Sequence, residues 1–242
     1  MTVVAIHQPN FFPWPGYFAK AVQAERFILL DHVQFPHTGG TWMNRVKLLM
    51  DGEGKWVTAP VTRGSGPQAV TETNFASAPW RRKLIAAIDT WYRKAPHYSA
   101  VMPVLRPLIE HEDDNVARYN ANAILGIADA LGIARDKFLL SSEMAPEGAS
   151  TRMLVGLIQA SGGNAYLCGA GSADYQEDHL FADAGISLIY QNFSPEPYPQ
   201  QSGEAFVPGM SIIDPLMNVG FEATRVMLDR AAESASSLGR AA

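Results

Sequence analysis

The chain has 242 residues, 47% of them hydrophobic and 18% charged, with a formal net charge of −5. That length buries a core without disulfide or metal staples, and the balance excludes a disordered chain. The acidic charge, with no Lys/Arg run, argues against a nucleic-acid partner gripped through its phosphates. A single cysteine leaves no internal disulfide framework and suits a reducing cytosol. No basic leader and no long apolar run is found, so a cytoplasmic protein without membrane insertion is expected.

Val3 to Ile6 reads as a short buried strand, β-branched and without polar alternation. His7, Gln8 and Asn10 follow in a loop with Pro9, Pro13 and Pro15, made rigid by fixed φ and missing donors. A helix over Phe18 to Glu25 and a strand over Phe27 to Leu30 complete a βαβ opening. In such sheets ligands bind beyond the carboxyl ends of the strands. His7, Gln8, Asn10 and Asp31 would all lie there.

Trp42 to Leu48 alternates apolar with polar, and with Trp56 to Val61 across the Gly52-Glu53-Gly54 turn it predicts a hairpin arm. Pro60 places the second strand at an edge. Apolar residues at helical spacing over Pro79 to Lys94, then near Met102 to His111 and Asp113 to Leu131, form a helical block at about 79–132, an insertion or lid on a single α/β domain. Asp113-Asp114-Asn115 supplies capping chemistry. Beyond it the chain repeats strand, small-residue loop, helix: strands at Lys137–Leu140, Asn164–Cys168 and Ile186–Tyr190, and a helix opened by Ser150. A last helix starts near Ser211, and the Ala/Ser-rich tail after Asp229 is expected to fray. The fold class predicted is a three-layer, Rossmann-like α/β domain with a mainly parallel sheet.

His7 has the intrinsic pKa of a proton-transfer group near neutrality, and Asp31, ending the neighbouring strand, is placed to orient it. Arg45 and Lys47 share one strand face and suit a phosphate or carboxylate; Asn44 lies beside them. Gly169, Gly171 and Ser172, between a strand and a helix, form one candidate anion loop. Ser141 and Ser142 with Thr151 and Arg152 form another. Neither matches a dinucleotide or Walker pattern. Trp14 and Tyr17 are candidate pocket walls. Cys168 is read as a packing residue, and no histidine or cysteine spacing supports a metal.

The ordered motifs His7-Gln8-Pro9-Asn10, Pro13-Trp14, Gly16-Tyr17-Phe18, Asp31-His32-Val33-Gln34-Phe35, Asn44-Arg45-Val46-Lys47, Tyr166-Leu167-Cys168-Gly169 with Gly171 and Tyr175, and Ser211-Ile212-Ile213-Asp214 with Asn218 and Gly220 resemble the WbqC-like proteins of bacteria. The resemblance covers most of residues 3 to 220. It implies a role beside O-antigen or other surface-glycan genes, and adds Gln34 and Tyr175 to the candidate substrate contacts. The expectation is a transferase moving an acyl or aminoacyl group to the amine of a nucleotide-linked or phosphate-bearing amino sugar, with His7 as base and no cofactor assigned. Two alternatives stand beside it. One is a nucleotidyltransferase-like enzyme in which Trp14-Pro15-Gly16-Tyr17 replaces a His-x-Gly-His frame. The other is a non-catalytic assembly protein of a glycan pathway.

Overall fold

The structure, a computed structural model, describes residues 1–36, 41–169, 176–201 and 205–238, with side chains of 234–238 left aside. Its centre is a parallel sheet of β1 (Val3–His7), β2 (Arg26–Leu29), β7 (Phe138–Leu140), β8 (Ala165–Gly169) and β9 (Ser187–Gln191), in the order β7-β2-β1-β8-β9. These strands are short apolar runs because helices cover both faces. α1 (Pro15–Gln23) packs on the face that carries Val3, Ala5 and Leu167. α5 (Ser150–Ala160) and α6 (Asp178–Asp183) pack on the face of Val4, Ile6, Ile28 and Cys168. The arrangement is the predicted α/β, Rossmann-like one.

The chain leaves β1 toward β2 and leaves β8 toward β9, in opposite directions. The β1/β8 junction is therefore the switch point, where the crevice of an open α/β sheet lies.

The hairpin β3 (Arg45–Met50) and β4 (Glu53–Thr58) pairs Lys47 with Trp56 and Arg45 with Thr58. β4 stops before Pro60, and β5 (Val61–Thr62) pairs instead with β6 (Asn74–Phe75). α2 (Trp80–Tyr92), α3 (Tyr98–Glu110) and α4 (Val116–Ala130) share one apolar cluster with the α1 face of the sheet. α4 starts at its Asn115 cap, whose side chain accepts from Arg118 N and donates to the Thr71 carbonyl. Ser150, read as the cap of α5, makes no cap hydrogen bond.

α7 (Ile213–Leu238) breaks at Gly220, where φ is 82° and an added Cβ would come within 2.6 Å of the His97 ring. Only glycine meets both demands. Of the tail after Asp229, expected to fray, the part to Leu238 continues α7, in keeping with the helix propensity of its alanines, and residues 239–242 lie outside the described residues. Among the described residues no helix is long and apolar enough to cross a membrane.

The loop after β1 is held from outside itself. Asn120 on α4, fully buried, donates through Nδ2 to the Pro9 and Met43 carbonyls, both at 2.8 Å. Asn120→Ala leaves two carbonyls unpaired in a dry interior. Urea unfolding should show a stability loss of about 2 kcal/mol. A loss under ~0.5 kcal/mol, the range of ordinary surface substitutions, would show that the loop stands without this clamp.

Candidate active site

His7 ends β1. Its Nδ1 lies 3.2 Å from the Gln8 carbonyl, which also accepts from the Tyr17 hydroxyl at 3.2 Å. A carbonyl only accepts, so the His7 proton sits on Nδ1 and Nε2 keeps its lone pair. The ring packs edge-on against Trp14 at 5.4 Å and Tyr17 at 4.8 Å between centroids. Burial, reinforced by the ammonium of Lys20, lowers its pKa to about 3. His7 is thus neutral at physiological pH, and a poor base there. Burial likewise raises the Tyr17 phenol well above its ordinary value.

Lys20 is the residue that the sequence reading missed. α1 buries the face from Gly16 to Ala21, and Lys20 falls on it with only 4% exposure. No described side chain or backbone group hydrogen-bonds its ammonium. Burial lowers its pKa to about 8, against a smaller opposing effect of Cys168. Nζ lies 3.6 Å from the point where a Cβ on Gly169 would stand, so the glycine at the end of β8 keeps space open beside the charge. The available signal was its position, three residues after Tyr17 and so on the same helical face.

Asp31 does not orient His7. Its carboxylate accepts from Ser141 Oγ at 2.8 Å, Ser142 N at 2.8 Å and Ser142 Oγ at 2.7 Å, and none of its hydrogen bonds goes to His7. The expected dyad fails because β7 lies on the other side of β2 and brings these donors closer. The same contacts correct the Ser141-Ser142 anion site: the anion that it holds is the chain's own. The single Ser141 hydroxyl hydrogen points to Asp31, so Ser141 Oγ accepts from His32 Nδ1 at 2.6 Å. Thr151 is buried and accepts from Glu177 N at 3.1 Å, and Arg152 is exposed.

Asn44 is also structural, donating to the Ala59 carbonyl at 2.9 Å and accepting from Thr41 N. Gln34 is exposed and bridges to Ala69 through its backbone. Asn10 is buried, with no hydrogen bond from its amide to a described residue. Arg45 lies over the Trp56 ring at 4.2 Å. Trp56 touches Trp42, and Trp42 touches Trp14, giving an aromatic path from His7 to the hairpin. Cys168 is fully buried and donates to the Ile189 carbonyl at 3.4 Å. Gly171, Ser172 and Tyr175 lie outside the described residues. Among the described residues no group of acidic, histidine and cysteine side chains could hold a metal.

The structure thus brings His7, Gln8, Trp14, Tyr17 and Gly169 together with Lys20 at the switch point. A parallel α/β sheet with this switch point places the class of the protein: an open, Rossmann-like α/β protein, whose crevice is where such sheets bind their ligands. The chain belongs to the WbqC-like protein family, whose model matches residues 8–226. It is similar to the uncharacterized protein Rv1507c of Mycobacterium tuberculosis, 28% identical over 225 residues that cover 92% of this chain and 96% of the relative. No solved structure matches.

The depressed His7 pKa has a thermodynamic consequence. Below 6.5 the unfolded chain takes up a proton that the folded chain refuses until about pH 3. His7 therefore contributes stability above pH 6.5 that is lost as pH falls through that window. His7→Asn should flatten this part of the stability–pH curve, measured by urea unfolding between pH 7 and pH 4. An unchanged slope would mean that His7 protonates freely in the fold.

Proposed function

We propose that this protein transfers an acyl or aminoacyl group to the amine of a nucleotide-linked amino sugar, in bacterial surface-glycan or specialised-metabolite assembly. The observation that carries the reading is Lys20, a buried ammonium without a described partner beside a neutral imidazole at the switch point. A buried charge without a counter-ion costs stability, and perturbed titrating groups of this kind gather at functional sites. Membership of the WbqC-like family supports the glycan setting through its resemblance to proteins of such gene clusters.

In this reading the base is Lys20 rather than His7. With a pKa of about 8, a useful fraction of Lys20 is neutral near pH 7. As the acceptor nitrogen bonds to the acyl carbon, neutral Lys20 takes the nitrogen's proton. The bond from that carbon to the donor's heteroatom then breaks, and the leaving group carries the proton away. Held by the Gln8 carbonyl, His7 offers Nε2 as a fixed acceptor to orient the amine. Asn10, buried and with no hydrogen bond from its amide to a described residue, stabilises the developing oxyanion. Arg45, over the Trp56 ring on the hairpin, takes a phosphate of the nucleotide.

Purified protein is incubated with a panel of nucleotide-linked amino sugars and acyl or aminoacyl thioesters, and products are read by mass. Lys20→Met should cut turnover ~10²–10⁴-fold. It should also stabilise the fold below pH 8 by an amount on the order of a few kcal/mol. There Lys20 is charged in both states and the burial penalty is full; the wild type should regain that stability as pH rises from 8 to 10.5. Undiminished turnover in Lys20→Met would refute the mechanism.

Cys168→Ser removes the thiol from a packed position and should leave turnover within a few-fold of wild type. A loss of roughly a thousandfold, the order for a removed catalytic group, would make Cys168 a participant.

A further inference from the structure

Trp14 has two sides. One meets His7; the other helps to line an apolar pocket of about 300 Å³ with Phe193, Pro195, Tyr198, Phe206 and Met210. At ~30 Å³ per water-sized group, it has room for about ten such groups. The catalytic steps above leave the pocket unused.

Its walls are fixed from behind. Asp214, fully buried at the start of α7, accepts from Tyr198 OH at 2.6 Å, Gln200 Nε2 at 2.8 Å and Tyr92 OH at 2.9 Å. Gln200 in turn donates to the Val207 carbonyl and accepts from Val207 N, which ties the segment carrying Phe206 to the segment carrying Tyr198. Phe206 packs edge-on against Tyr198 at 5.1 Å. A pocket with walls held this way is preformed rather than opened by a ligand.

The rim is cationic. Lys47 Nζ lies 4.0 Å from the point where a Cβ on Gly209 would stand, and Gly209 lines the pocket. Arg45 shares the strand face of Lys47. Neither makes an ion pair with a described carboxylate. An apolar cavity with the Lys47 ammonium at its edge, outside any ion pair with a described carboxylate, is complementary to a ligand with an apolar chain and an anionic carrier.

We infer that this pocket is the donor subsite: it takes the acyl chain of a donor whose carrier bears phosphate, with Lys47 on the phosphate. The inference rests on the transfer reading for the meaning of the occupant. Trp14 touches His7 and lines the pocket, so one ring joins the donor subsite to the catalytic groups.

The probes are octyl phosphate, octanol and inorganic phosphate, titrated calorimetrically below the micelle concentration, so no turnover is needed. Octyl phosphate should bind at least tenfold more tightly than octanol or inorganic phosphate. Lys47→Met should weaken octyl phosphate about tenfold, the worth of one charge-assisted hydrogen bond, and leave octanol unchanged; Lys47→Arg should restore it. Phe206→Ala should weaken both octyl ligands, because it removes a wall. Octanol equal to octyl phosphate, an indifferent Lys47→Met, or no binding of octyl phosphate overturns the inference. Lys20→Met separates the two readings. Turnover that depends on Lys20 without octyl phosphate binding removes the donor subsite alone, whereas octyl phosphate binding with turnover indifferent to Lys20 removes the transfer mechanism alone.

Discussion

The loop between β1 and α1 cannot satisfy its own backbone, and the rest of the structure converges on it for that reason. Its prolines carry no N–H and fix φ, so no helix or strand ladder can form across it. Four of its backbone groups are taken up from distant elements. The Pro9 carbonyl is met by Asn120, Phe11 N donates to the Trp42 carbonyl, the Phe12 carbonyl accepts from Ser211 Oγ, and the Pro13 carbonyl accepts from Ile212 N. α4, the hairpin arm and the approach to α7 are thereby pinned to one short segment. Phe12 holds φ at 45°, a conformation that costs a non-glycine residue on the order of 1 kcal/mol and persists only where the surroundings over-determine it. The result is a stiff frame that sets His7 and Trp14 beyond the carboxyl end of the central strand.

Three charged residues lie buried near this frame, and their hydrogen bonds separate their roles. Asp31 receives two hydroxyls and an amide from β7's end, and fastens the sheet's left flank. Asp214 receives two phenols and a side-chain amide. Burial still pushes its carboxyl upward, against the pull of those donors. Both are satisfied in the way that buried charges in folded proteins usually are. Lys20 is not. Among the described residues no group hydrogen-bonds its ammonium, and the opposing effect of Cys168 is smaller than the cost of burial. Leucine or methionine would pack there without the burial penalty that lowers the Lys20 pKa to about 8.

The Rossmann-like sheet was legible from Val3–Ile6, Phe27–Leu30 and Asn164–Cys168, because strands covered on both faces must be apolar without alternation. The site was legible only in part. His7, Trp14 and Tyr17 stood out through an unusual loop, and they do meet in space. Lys20 did not stand out. One cation on a short helix beside alanines carries the pattern of a solvated residue, and only the packing of α1 against the sheet and α7 turns its face inward.

By itself the sequence determined where strands, rigid loop and helices fall, and which motifs belong to the WbqC-like family, because periodicity, proline and glycine act within a few residues. Tertiary structure alone decided which polar groups remain available. Asp31 and Ser142 are 111 residues apart, Asn120 and Pro9 also 111, and Ser211 and Phe12 199. Whether a carboxylate or a hydroxyl is free for chemistry depends on such distant partners arriving first. Hydrogen bonds saturate, so a donor or acceptor spent on the fold is lost to the site, and local sequence carries no record of that expenditure.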